Sequence, residues 1–260
     1  GNDTLTFAST VTNATVDAGT GLDKLIFSGL VSGTTVSGGT SDITFTDASD
    51  TVVFKALGAG TTINFGAGAN YASFDNALNA TNIVGGSGND TLRFGAAVAT
   101  GTIDAGAGVD SLVFATSMDG LISGVYSAGE FVSFGNGQVS ALFADATLTG
   151  SSIYGGSNND SLVFVAPIVA NTAATGAITL DAGSGADSLI FRSTFSGSIS
   201  SFTASGEYVS FGSNASAQFA SNIGASSVIG SGNADSLLFA AAVAGATVDA
   251  GAGADTLIFS

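Results

Sequence analysis

The feature that most restricts this chain is internal repetition at a short period. A phenylalanine closes a similar segment at positions 7, 27, 54, 74, 94, 114, 134, 164, 191, 211, 239 and 259. The commonest step is 20 residues, and the longer steps are 27, 30, 27 and 28. Residues 82–94 read NIVGGSGNDTLRF, 102–114 read TIDAGAGVDSLVF and 247–259 read TVDAGAGADTLIF. Each segment is a β-branched run, a glycine-rich turn ending in an acid, and a second apolar run.

The second run alternates. Leu92 and Phe94 face one way and Arg93 the other, which is strand periodicity. The turn between the runs needs glycine for backbone conformations that other residues resist. No ten-residue stretch shows a capped helical face. Two short strands and two turns in about 20 residues make one coil. A single coil cannot bury its own apolar face, so coils must stack, at about 4.8 Å. The expectation is an all-β chain, a parallel β-solenoid of β-roll or β-helix type, continuous over residues 1–260 as one domain of about twelve coils. Phe and Leu columns run inside it. The extra residues at 28–50, 135–151, 165–177 and 212–226 follow a closing Phe and read as loops on one face. Phe65, Phe131, Phe143, Phe195, Phe202 and Phe219 read as core or loop packing rather than as a carbohydrate platform.

Charge narrows the functional classes. The chain carries 20 acids against four bases, a net charge of −16. Lys24, Lys55, Arg93 and Arg192 cannot form a nucleic-acid footprint and read as solvated outward positions. With no Cys and no His, disulfides, thiolate metal sites and catalysis by either residue are excluded. Hydrophobic residues make up 45%, far from a disordered composition. Gly, Thr, Asn and Ser interrupt every apolar stretch, so no transmembrane segment is expected.

The acids follow the repeat. With coils in register, Asp3 lies over Asp23, Asp90 over Asp110, Asp160 over Asp187 and Asp235 over Asp255. A third carboxylate, from Asp17, Asp104, Asp181 or Asp249, falls near each pair. Two unit charges about 5 Å apart repel by roughly 3 kcal/mol at an effective dielectric near 20. The chain has no cations to offset this column. A hard divalent cation would, and calcium suits carboxylates and turn carbonyls better than magnesium does.

These turns resemble a known family. GGSGND at 85–90, GGSNND at 155–160 and the Asp-Ala-Gly-x-Gly-x-Asp segments are similar to the RTX, or hemolysin-type, calcium-binding repeat. The resemblance implies Ca2+ between stacked turns, with the twelve aspartates named above as ligands. It also implies a secreted bacterial protein such as a toxin, protease, adhesin or surface-layer protein. The pattern departs from the family in period: the motif recurs every 20 residues, so calcium turns are expected on one side only. Glu130 and Glu207 lack the full glycine pattern, Asn70 lacks charge, and Asp42, Asp47 and Asp50 find no assignment.

The functional expectation is an extracellular, non-enzymatic structural protein on the bacterial cell surface, building a layer or filament. Both ends of the repeat read as open, which suggests end-to-end or lateral self-association. A cell-surface polysaccharide is a further partner to consider. The alternative is the stalk or binding segment of a large secreted adhesin. An enzyme would need a catalytic pair that breaks the repeat, and an ice binder an outward Thr ladder between the turn glycines; Ala107, Ser184 and Ala252 stand there instead.

Overall fold

A computed structural model describes residues 1–46, 48–127, 129–144, 148–169 and 178–260. Among these, regular structure is β-strand throughout, with no helix, and hence none long and apolar enough to cross a membrane. The chain is a parallel β-solenoid of about twelve turns at roughly 20-residue spacing. Two compact units divide it, Gly1–Val125 and Tyr126–Ser260.

In the first unit, one parallel sheet contains Thr4–Phe7, Leu22–Phe27, Thr40–Phe45, Thr62–Asn64, Asn82–Val84, Val98–Asp104 and Met118–Ser123. The other contains Thr15–Asp17, Thr34–Ser37, Thr51–Lys55, Tyr71–Phe74, Thr91–Phe94 and Ser111–Phe114. Pairing keeps the repeat in phase: Leu92 lies beside Leu112 and Phe94 beside Phe114. In the second unit, Val139–Phe143, Ser161–Phe164, Ser188–Phe191, Tyr208–Phe211, Ser227–Ile229 and Thr247–Asp249 form one sheet. Phe131–Phe134, Ser152–Tyr154, Thr179–Asp181, Phe195–Ser200, Ala215–Phe219, Ser236–Phe239 and Thr256–Phe259 form the other.

Alternation within each strand sets the core. Leu92 and Phe94 are fully buried while Arg93 is exposed, as period-two geometry requires. In the first unit Phe7, Phe27, Phe45 and Phe65 stack in one column, and Phe54, Phe74, Phe94 and Phe114 in another. Ring centroids in the second column are 4.9, 4.9 and 4.6 Å apart and nearly parallel. This spacing is the inter-strand spacing of a sheet, so the backbone ladder imposes it. Phe54 meets Phe45 and Phe65 edge-on at 6.2 Å, joining the two columns.

The inserted segments correct the sequence reading. The step from Phe27 to Phe54 carries the repeat from one sheet to the other, because Thr34–Ser37 and Thr40–Phe45 each form a strand where a loop was expected. The same happens at 135–151, which contains Val139–Phe143, and at 212–226, which contains Ala215–Phe219. Both added strands bury alternate residues, so each supplies half a coil of wall. The glycine-acid turn therefore precedes strands of one sheet at Asp23 and of the other at Asp90. In the second unit it precedes one sheet at Asp160 and Asp187 and the other at Asp235. Acid turns on one side only, as the period implied, are not what the chain builds. Of the 165–177 insertion, 170–177 lie outside the described residues, as does Asp47.

Candidate functional site: the acid corners

The acid that ends each glycine-rich turn enters the wall. Asp23, Asp90, Asp110, Asp160, Asp187 and Asp235 are all at most 3% exposed. Its Oδ1 accepts the backbone N–H of the matching residue one coil earlier. Asp3 N–H donates to Asp23 (2.9 Å), Asp90 N–H to Asp110 (2.8 Å), Asp160 N–H to Asp187 (2.9 Å) and Asp235 N–H to Asp255 (3.0 Å). The vertical pairs read from the sequence are thus adjacent, tied by a backbone-to-carboxylate bond.

Residues that the sequence reading left unassigned belong to the same column. Asp50 Oδ1 accepts Val31 N–H at 2.7 Å, Asp50 N–H donates to Asn70 Oδ1 at 3.0 Å, and Asn70 N–H donates to Asp90 Oδ1 at 2.8 Å. Glu130 and Glu207 are buried at 1%. The signal was arithmetic: 50, 70, 90 and 110 are 20 apart, although their turns differ. Where the repeat changes sheet, the first acid of the new run takes the N–H of Val31, Val139 or Ala215. Asp42, also unassigned, lies on an exposed outward position beside Lys24 and Thr62.

The acids that open the turns act differently. Asp17, Asp104, Asp181 and Asp249 accept the N–H of Gly19, Gly106, Gly183 and Gly251, two residues ahead, at 2.9–3.1 Å. This is an Asx turn, in which the side chain caps its own loop. Asp104 still lies near enough to Asp110 to raise its pKa. A third carboxylate joining every pair was expected; among the described residues no three acids converge into a metal-sized cluster. The reason is local: one acid is drawn beneath the previous coil while the other is held at its own turn. Asp3, Asp17 and Asp249 are exposed, and Asp255 is half-buried.

Glycine lets successive corners sit this close. A Cβ on Gly106, where φ is +98°, would fall 2.2 Å from the Gly86 carbonyl oxygen. Side chains are excluded there by both conformation and contact.

Burial perturbs the column. Desolvation raises Asp90 to about 7, opposed by hydrogen bonds from Asn70, with repulsion from Asp110 adding to the rise. Asp110 and Asp187 are raised to about 6 and Glu207 to about 7, each chiefly by desolvation. Asp50 and Asp160 rise for the same reason. The second carboxylate oxygens of Asp23, Asp50, Asp90 and Asp187 are buried and, among the described residues, accept no hydrogen bond. Such orphans require a partner: a proton, a water or a cation. At other positions the chain supplies its own, as where Gly156 N–H donates to Asp160 Oδ2 at 2.8 Å. Asn70 donates its Nδ2 to Gly68 carbonyl oxygen at 2.7 Å, and Ser231 donates N–H and O–H to Asp235.

The donors are therefore all oxygen, anionic and partly unsatisfied, which matches a hard cation in chemistry. Asp90 with Asp110 in the first unit, and Asp187 in the second, are the residues that would hold it. Calcium bound there would neutralise desolvated charge between coils.

No protein-family model matches the chain, and no curated protein or solved structure is significantly similar to it.

Proposed function

We propose that the chain is a structural β-solenoid of the bacterial cell exterior, a building element of a surface layer or filament, whose acid corners are completed by calcium. One observation carries this reading. The repeated acids are built into the wall coil after coil, and four of them keep a buried oxygen with no hydrogen bond among the described residues. An acid used this way serves the stack. The four bases are all exposed at the surface. A repeating wall also presents similar side chains every 20 residues, so copies can associate laterally or end to end through many weak, equivalent contacts.

Metal binding would contribute its free energy directly to folding. The test is far-UV circular dichroism of chelator-treated chain titrated with calcium, then with magnesium, followed by light scattering. A gain of β signal specific to calcium, with growth in scattering, is the expected result. Unchanged dichroism on chelation and on calcium addition would overturn the calcium half. A chain that stays monomeric while folded would overturn the assembly half.

A further inference from the structure

The second unit carries an outward-facing aromatic pair on one sheet. Phe131 was read, with the other phenylalanines outside the closing series, as core or loop packing rather than a carbohydrate platform. Phe143, Phe195, Phe202 and Phe219 are buried to 1% or less, and Phe65 to 5%, but Phe131 is 37% exposed. Alternation explains it: Val132 and Phe134 point inward, so Phe131 and Ser133 point out. On the next strand of the same sheet Tyr154 is outward beside Ser133, and Ser152 beside Phe131. The Phe131 and Tyr154 rings lie 5.5 Å apart, tilted by 41°. Hydroxyl-bearing Ser133, Ser152 and Thr179 share the face.

Both strands then run straight into a cluster of amides. Asn136 follows Phe134 by two residues, and Asn158 and Asn159 follow Tyr154 by four and five. With Gln138 they line a recess of about 490 Å³ that has no charged residue in its lining. The amides are partly fixed. Ser157 Oγ donates to Asn136 Oδ1 at 3.1 Å, Asn158 Nδ2 donates to the Asn136 carbonyl, and Asn159 Oδ1 accepts Ala186 N–H at 2.8 Å. The Gln138 amide, Asn136 Nδ2 and Asn158 Oδ1 have no partner within the described residues, and all three side chains are exposed.

We propose that this surface binds a neutral polysaccharide. Exposed, partly immobilised aromatic rings offer a flat apolar face to the C–H side of a sugar ring at little entropic cost. Side-chain amides present a donor and an acceptor side by side, which matches adjacent hydroxyls. Charge selects among glycans. A chain of net charge −16 repels acidic polymers, and this face offers no base to bind a carboxylate or sulfate. Neither ring strand contributes to the acid bonds described above, whereas Asn158 and Asn159 belong to the turn that Asp160 closes.

The test is affinity electrophoresis of the full chain through gels containing dextran, mannan or xyloglucan, with alginate as the acidic comparison. At least one neutral polymer should retard the chain, and alginate should not. Phe131→Ser with Tyr154→Ser should weaken retardation by about tenfold or more, the scale of one or two ring contacts. Asn136→Ala with Asn158→Ala should weaken it independently. Tyr71→Ser, an exposed tyrosine of the first unit, should leave it unchanged. All substituted rings are at the surface, so unaltered circular dichroism is the check on folding. Absence of retardation by all three neutral polymers, equal retardation by alginate, or retention that survives the Phe131/Tyr154 double substitution would each overturn the proposal.

Discussion

Asp90→Asn tests the acid column most directly, because the chain already contains the outcome. Asn70 occupies the same position one coil earlier and accepts an N–H through its amide oxygen while its Nδ2 reaches Gly68. An amide at position 90 keeps the acceptor for Asn70 N–H and turns the orphaned oxygen into a donor. It also removes a charge whose pKa stands at about 7 against 3.8 for an ordinary Asp. The folded-state value is raised, so the stability Asp90 contributes is fully present below pH 4. It is lost as pH climbs through 7. Each unit is worth about 1.4 kcal/mol, so the penalty for ionised Asp90 at pH 8 is at most ~4 kcal/mol. Urea unfolding in chelator at pH 5 and pH 8 reads this out. Wild type should lose stability between the two, and Asp90→Asn should lose less, by roughly 2–3 kcal/mol. Saturating calcium should reverse the order at pH 8, because the variant lacks an anionic ligand. A variant as steeply pH-dependent as wild type, or less stable than wild type at pH 8 without calcium, would refute the reasoning.

Further perturbations follow from the packing. Phe94→Ala removes a ring stacked between Phe74 and Phe114 and should cost about 3–5 kcal/mol in urea unfolding. Phe94→Leu should recover much of that, and equal effects of the two would argue against the column as a source of stability. Gly106→Ala should unseat one corner, since its Cβ would overlap the Gly86 carbonyl and φ is +98° there. A loss of several kcal/mol is expected, with local amide-exchange protection falling around residues 86 and 106.

Much of the fold is legible in the residues. Period, alternation and the glycine turns give the parallel coils, and equal spacing places Asp90 over Asp110. The half-coil changes of side are harder to see. Val139–Phe143 and Ala215–Phe219 lack a glycine-acid turn, so they look like insertions, although their apolar alternation is visible in VSALF and ASAQF. The direction of the closing acids is harder still. A 20-residue spacing is the same whether a carboxylate faces solvent, a metal or the next backbone N–H. Only the path of the turn decides, and it brings Asp110 beneath Asp90. Phe131 was legible by alternation from Phe134, but hydrophobicity alone points it inward.

The exchange of sheets at Val31, Val139 and Ala215 sets a rule for how such a wall can be lengthened. An insertion of a whole coil leaves every later corner on the edge it already occupied. An insertion of one strand and one turn moves all later corners, together with whatever their neighbouring side chains bind, to the opposite edge. The phase of the repeat is therefore an address, and small changes of length can re-aim a surface without redesigning any residue on it.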